Sequence, residues 1–115
     1  MSDVSQALVN MVKSALGPKK FSTGSKGFFA TDKIIMGGRR YQAQAQAVLI
    51  GSKEKKNARV EATTDEVVAA LAGLIENGDI AERAFRSGRT GYRVDGPVSA
   101  HGQRFQCYVQ AVCLN

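Results

Sequence analysis

Polar and apolar residues alternate through Arg39-Arg40-Tyr41-Gln42-Ala43-Gln44-Ala45-Gln46-Ala47-Val48-Leu49-Ile50, and a period of two over this length predicts a β-strand with two chemically different faces. Gly37-Gly38 just before it reads as a two-residue hairpin turn, where glycine supplies positive φ without steric cost. That turn sets a register with a preceding strand, Phe28 to Met36, in which Met36 faces Arg39, Ile34 faces Tyr41, Ala30 faces Ala45 and Phe28 faces Ala47. One hairpin face then carries Phe28, Ala30, Ile34, Tyr41, Ala43, Ala45, Ala47 and Leu49. The other carries Phe29, Thr31, Lys33, Arg40, Gln42, Gln44 and Gln46.

Upstream the period changes. Val4, Ala7, Leu8, Met11, Ala15 and Leu16 recur at helical spacing over residues 2 to 16, with Ser2 or Asp3 as N-cap and Gly17-Pro18 as the stop. Residues 19 to 23 read as a short strand, and Gly24-Ser25-Lys26-Gly27 as a tight turn. Thr63 with Glu66 three positions later is a capping-box signature for a second helix, which carries Val67, Val68, Leu71, Leu74 and Ile75 and stops at Asn77-Gly78.

The plan then repeats. Phe21, Gly24, Gly27, Gly38, Arg40 and Gln42 recur 64 positions on as Phe85, Gly88, Gly91, Gly102, Arg104 and Gln106, among nine identities between residues 21–50 and 85–114. The second hairpin would bury Tyr92, Val94, Val98, Phe105, Cys107, Val109, Ala111 and Cys113, and expose Arg93, Asp95, Ser99, Arg104, Gln106, Tyr108 and Gln110. The expected fold is α+β: two tandem pseudo-symmetric α-β-β(-β) repeats forming an antiparallel sheet with two helices packed on one face. Residues 1–115 are expected to form a single domain, with repeat one at 1–50, a linker at 51–62 and repeat two at 63–115. The strand order at the join is not readable.

Charge adds a partner to this picture. The 115 residues hold 16 Lys and Arg against 10 Asp and Glu, a net charge of +6 that points to an anionic partner. Arg40, Arg104, Lys33 and Arg93 fall on the exposed sheet face with Gln42, Gln44, Gln46, Gln106 and Gln110 and the aromatics Phe29 and Tyr108. Cations hold phosphates, aromatics stack bases and glutamines bond base edges, the means by which sheet platforms bind single strands. A solvated antiparallel face is polar in any case, and Phe29 is the residue that such a surface does not call for. Lys26 and Arg89 add a cation to each Gly-rich turn, although neither turn has the spacing of a Walker loop. Lys53, Lys55, Lys56 and Arg59 read as a solvated linker and secondarily as a phosphate-binding arm.

Other chemistry has less support. Cys107 and Cys113 are six positions apart on one strand, roughly 20 Å, which no disulfide bridges, and both read as reduced core residues. His101, the only histidine, falls at the turn position matching Gly37, and with both cysteines inward no zinc site of normal spacing assembles. Asp32 and Asp95 lie one position out of register and have no nucleophile or base beside them, so no enzyme and no cofactor is expected. A winged helix fits residues 71–80 and the hairpin after them, but the first copy has no helix-turn-helix. No apolar run of membrane-spanning length and no signal-peptide core occurs, and a soluble cytoplasmic chain is expected.

The reading is a non-enzymatic nucleic-acid-binding protein that prefers single-stranded DNA or RNA. The alternative is a protein–protein or homo-oligomeric assembly module using the Gln-rich face. A dimer is expected in either case, because an open sheet has edges that need cover.

Overall fold

The computed structural model describes residues 3–22, 24–51, 59–77 and 80–114. Within them lie helix α1 (Asp3–Ala15), strands β1 (Gly17–Lys20), β2 (Lys26–Met36) and β3 (Arg39–Leu49), helix α2 (Thr64–Asn77), and strands β4 (Ala81–Ala84), β5 (Thr90–Ala100) and β6 (Gln103–Cys113). The strands form one antiparallel sheet in the order β1-β2-β3-β6-β5-β4. α1 packs on β2, α2 on β5, and the helices pack on each other, so the fold is α+β.

Local signals explain most of the elements. Thr63 Oγ1 accepts the Glu66 N–H at 3.2 Å while Glu66 Oε1 accepts the Thr63 N–H at 2.9 Å, a closed capping box that starts α2. Gly37 and Gly38 take φ of 58° and 78°, and His101 and Gly102 take 52° and 72°, the same turn with histidine adopting the left-handed conformation in the second hairpin. The register of β2 on β3 is the expected one, with Met36 opposite Arg39 and Phe28 opposite Ala47. In α1 the buried stripe includes Val9 and Val12, which the helical count left out, while Val4 and Ala7 are only half-buried. Asp3 is the first residue of that helix. Ser2, Gly78 and the basic residues Lys53, Lys55 and Lys56 lie outside the described residues.

Two expectations are corrected. β1 runs from Gly17 to Lys20 rather than from 19 onward, because Ser25 O accepts the Phe21 N–H at 2.8 Å and Phe21 O accepts the Gly24 N–H at 3.0 Å; Thr23 lies outside the described residues. Lys26 and Gly27 therefore belong to β2, and Gly27, like Gly91, is a strand glycine. A Cβ on Gly27 would sit 1.9 Å from the Ala47 carbonyl oxygen, and one on Gly91 1.9 Å from that of Ala111.

The centre of the sheet is the β3–β6 ladder, where Ala45 faces Val109 and the pairs run outward to Tyr41 opposite Cys113 and Leu49 opposite Phe105. Ala43, Ala45, Ala47 and Ala111 are fully buried there, and their small side chains leave room for the two helices. Larger groups fill the two ends: Phe28 and Phe105 lie 6.1 Å apart and Tyr41 and Tyr92 6.2 Å apart. Cys107 and Cys113 form no disulfide and are buried in this layer, and burial pushes the Cys107 thiol up to about 12.

The outer edges are only partly covered. β1 pairs with β2 over Lys26 to Phe29, and β4 with β5 over Thr90 to Arg93, so the remainder of β2 and β5 borders the sheet. Both borders are blunted at corresponding positions. Asp32 Oδ1 accepts the Lys33 N–H at 2.8 Å, and 64 positions on the residue is Pro97, which has no N–H to offer.

Candidate nucleic-acid interface

The side of the sheet away from the helices carries cross-strand rows fixed by the pairing. Phe29 (β2), Gln46 (β3), Tyr108 (β6) and Asp95 (β5) form one row, and Thr31, Gln44, Gln110 and Arg93 the next. Lys33, Gln42 and Val112 form a third.

Hydrogen bonds join these rows. Arg93 Nη1 donates to Gln110 Oε1 at 2.8 Å, and Gln110 Nε2 donates to Gln44 Oε1 at 3.2 Å. Tyr108 Oη reaches Gln46 Oε1 at 3.5 Å. Gln42 Nε2 donates to Thr31 Oγ1 at 2.8 Å, and Thr31 Oγ1 donates to the Ala43 carbonyl at 3.2 Å. The glutamines are therefore held in defined orientations. A cation covers each aromatic: the Arg93 guanidinium carbon lies 4.6 Å from the Tyr108 ring centre, and Lys19 Nζ lies 4.6 Å from that of Phe29. Arg93 Nε is also bonded to Asp95 Oδ2 at 3.2 Å, which offsets part of its charge.

Of the residues expected to bind, Phe29, Gln42, Gln44, Gln46, Arg93, Tyr108 and Gln110 meet in the middle of the face, with Lys33 beside Gln42. Arg40 and Arg104 share the face but not a location. Arg40 is at the start of β3, whereas Arg104 lies opposite Ile50 beyond its other end, where Arg104 O accepts the Ile50 N–H at 3.0 Å. Ten residues of extended chain separate those two ends, roughly 33 Å. Gln106 lies towards the Arg104 end, opposite Val48.

Lys26 and Arg89 are elsewhere. Lys26 is on the same side of β2 as the buried Phe28, opposite Lys20. Arg89 Nη1 donates to the Cys113 carbonyl at 3.2 Å and ties the turn before β5 to the end of β6.

Lys19 is not among the expected binding residues, because its place over Phe29 depends on the β1–β2 register, which sets Lys19 opposite Gly27 and Gly17 opposite Phe29. The apolar members of the face, Ile35, Val48, Ile50 and Val112, follow from continuing the same alternation past the glutamines, and Ile35 and Ile50 are 73% and 53% exposed. Asp32 and Asp95 are engaged as described, and His101 Nδ1 lies 3.1 Å from Glu66 Oε2 at the start of α2. Among the described residues no three His, Cys, Asp or Glu side chains converge as a metal site, and no helix is long and apolar enough to cross a membrane. No protein-family model, curated protein or solved structure matches the chain.

Proposed function

We propose that this chain is a non-enzymatic nucleic-acid-binding protein that takes single-stranded DNA or RNA on the polar face of its sheet. The observation that carries the reading is one row holding Phe29 and Tyr108 two strands apart, roughly 10 Å, each under a cation and with Gln46 between them. Rings and guanidinium planes stack bases of any identity, at about 1–3 kcal/mol per base. The ordered amides of Gln44, Gln46 and Gln110 offer donors and acceptors to base edges, and Lys33, Arg40 and Arg104 reach phosphates along the length of the face.

We further read the chain as two copies of one α-β-β-β unit forming a single domain. Matching turns at Gly37-Gly38 and His101-Gly102, matching close approaches at Gly27 and Gly91, and a central ladder on which Ala45 faces the residue 64 positions on support that duplication. A cytoplasmic setting is supported by two buried cysteines that are not joined in a disulfide.

Fluorescence anisotropy of a labelled single strand tests the binding reading. Phe29→Ala and Tyr108→Ala should each weaken binding by about 1–3 kcal/mol with the fold retained. Wild-type affinity in both variants overturns it. Self-association through the same face is the second reading, and the exposed Ile35 and Ile50 favour it. It requires a dimer mass by light scattering that drops to monomer in Ile35→Lys.

A further inference from the structure

We propose that the helix side of the sheet holds a second anion site that takes a phosphate-bearing small molecule. A recess of about 820 Å³ lies between β1, the start of β2 and the segment that leads into α2. Lys19, Lys20, Lys26 and Arg59 line it, Phe28 and Val60 contribute apolar surface, Thr64 adds a hydroxyl, and among the described residues no Asp or Glu lines it. Its size is that of an ordinary ligand pocket.

The wall is built. The Gln103 side chain, reaching from the start of β6, donates from Nε2 to the Arg59 carbonyl at 2.9 Å. Its Oε1 accepts the N–H groups of Glu61 at 2.8 Å and Ala62 at 3.2 Å. One amide thereby holds three backbone groups of the segment that carries Arg59. On the opposite wall Lys20 and Lys26 face each other in register on one side of the β1–β2 ladder.

The fold does not require these cations. Sixty-four positions on, Lys20 and Lys26 are replaced by Ala84 and Thr90, which line a recess of about 410 Å³ at the other end of the sheet. Arg39 and Arg83 share that recess with Glu82, so it mixes both signs of charge. A third recess, of about 520 Å³, also sets cations, Arg83, Arg86 and Arg93, beside apolar surface, and the first does so with three lysines and Arg59. That composition fits a phosphate group on a small organic body, with the lysines and Arg59 on the phosphate oxygens. Phe28 is 2% exposed and supplies packing rather than a stacking platform.

Titration of the full chain with inorganic pyrophosphate, followed by backbone amide chemical shifts, tests the site. Saturable shifts are expected at Lys20, Lys26, Val60 and Thr64. Lys20→Ala, an exposed edge-strand change that leaves the core intact, should weaken pyrophosphate binding about tenfold, as for loss of one charge-assisted hydrogen bond. Arg83→Ala in the other recess should leave binding unchanged. Tyr108→Ala should leave it unchanged too, which separates this site from the polar face whether or not that face binds nucleic acid. Shifts that do not saturate, shifts centred on Tyr108, or full affinity in Lys20→Ala overturn the proposal. A 5′-phosphorylated oligonucleotide that binds the recess while pyrophosphate does not would also overturn it, because the ligand would then be a nucleic-acid end.

Discussion

Gly27→Ala and Gly91→Ala should be among the most damaging single-methyl changes in this protein, and equally so. At Gly27 the added Cβ would lie 1.9 Å from the Ala47 oxygen, 2.9 Å from its carbonyl carbon and 3.0 Å from the Val48 Cα; at Gly91 the values are 1.9, 3.0 and 3.0 Å to Ala111 and Val112. The obstacle is backbone in β3 or β6, and each of those strands is paired on both sides, so relief means moving a central strand by more than 1 Å or breaking ladder bonds. Overpacking of this kind costs about 2–4 kcal/mol. For a chain of this size that lowers Tm by roughly 8–16 °C. Gly73→Ala, in the interior of α2 with nothing within 4 Å, is the control and should stabilise by roughly 0.5–1 kcal/mol. Urea and thermal melts by circular dichroism measure all three. Wild-type stability in Gly27→Ala, or a loss confined to one of the two variants, would refute the argument that the two glycines answer the same close approach.

Asp32→Ala frees the Lys33 N–H on an uncovered strand, and concentration-dependent association in sedimentation velocity should increase, whereas Ser99→Ala beside Pro97 should not change it. The Glu66 carboxyl is held below its ordinary range, first by the Thr63 backbone N–H and then by His101. Its contribution is therefore present above the unfolded-state carboxylate value, about 4.3, and is lost as pH falls through the lower folded value. The Tm advantage of wild type over Glu66→Gln should hold at pH 6 and vanish in strong acid; an advantage independent of pH would contradict this. If the polar face binds single strands, Arg40→Ala and Arg104→Ala, roughly 33 Å apart, should have additive effects, each lowering the salt slope by about 0.7. Strong coupling between them in a double-mutant cycle would show that the strand does not run the length of the face.

The elements were legible where the physics is local. Alternation through Gln42, Gln44 and Gln46 assigns β3 and its two faces, two residues of positive φ at Gly37-Gly38 set the β2–β3 register, and Thr63 with Glu66 marks the start of α2. Each signal lies within a few residues of the structure it dictates. The meeting of β3 with β6 was not legible, because that ladder joins residues more than fifty positions apart, and either hairpin edge offers the same backbone groups. It is this pairing that places Arg40 and Arg104 at opposite ends of the face and Tyr108 in one row with Phe29. Gly27 shows the same division: the residue type marked a constraint, but a turn that needs positive φ and a strand that needs close approach both call for glycine. Only the position of the Ala47 carbonyl, supplied by a neighbouring strand, decided between them.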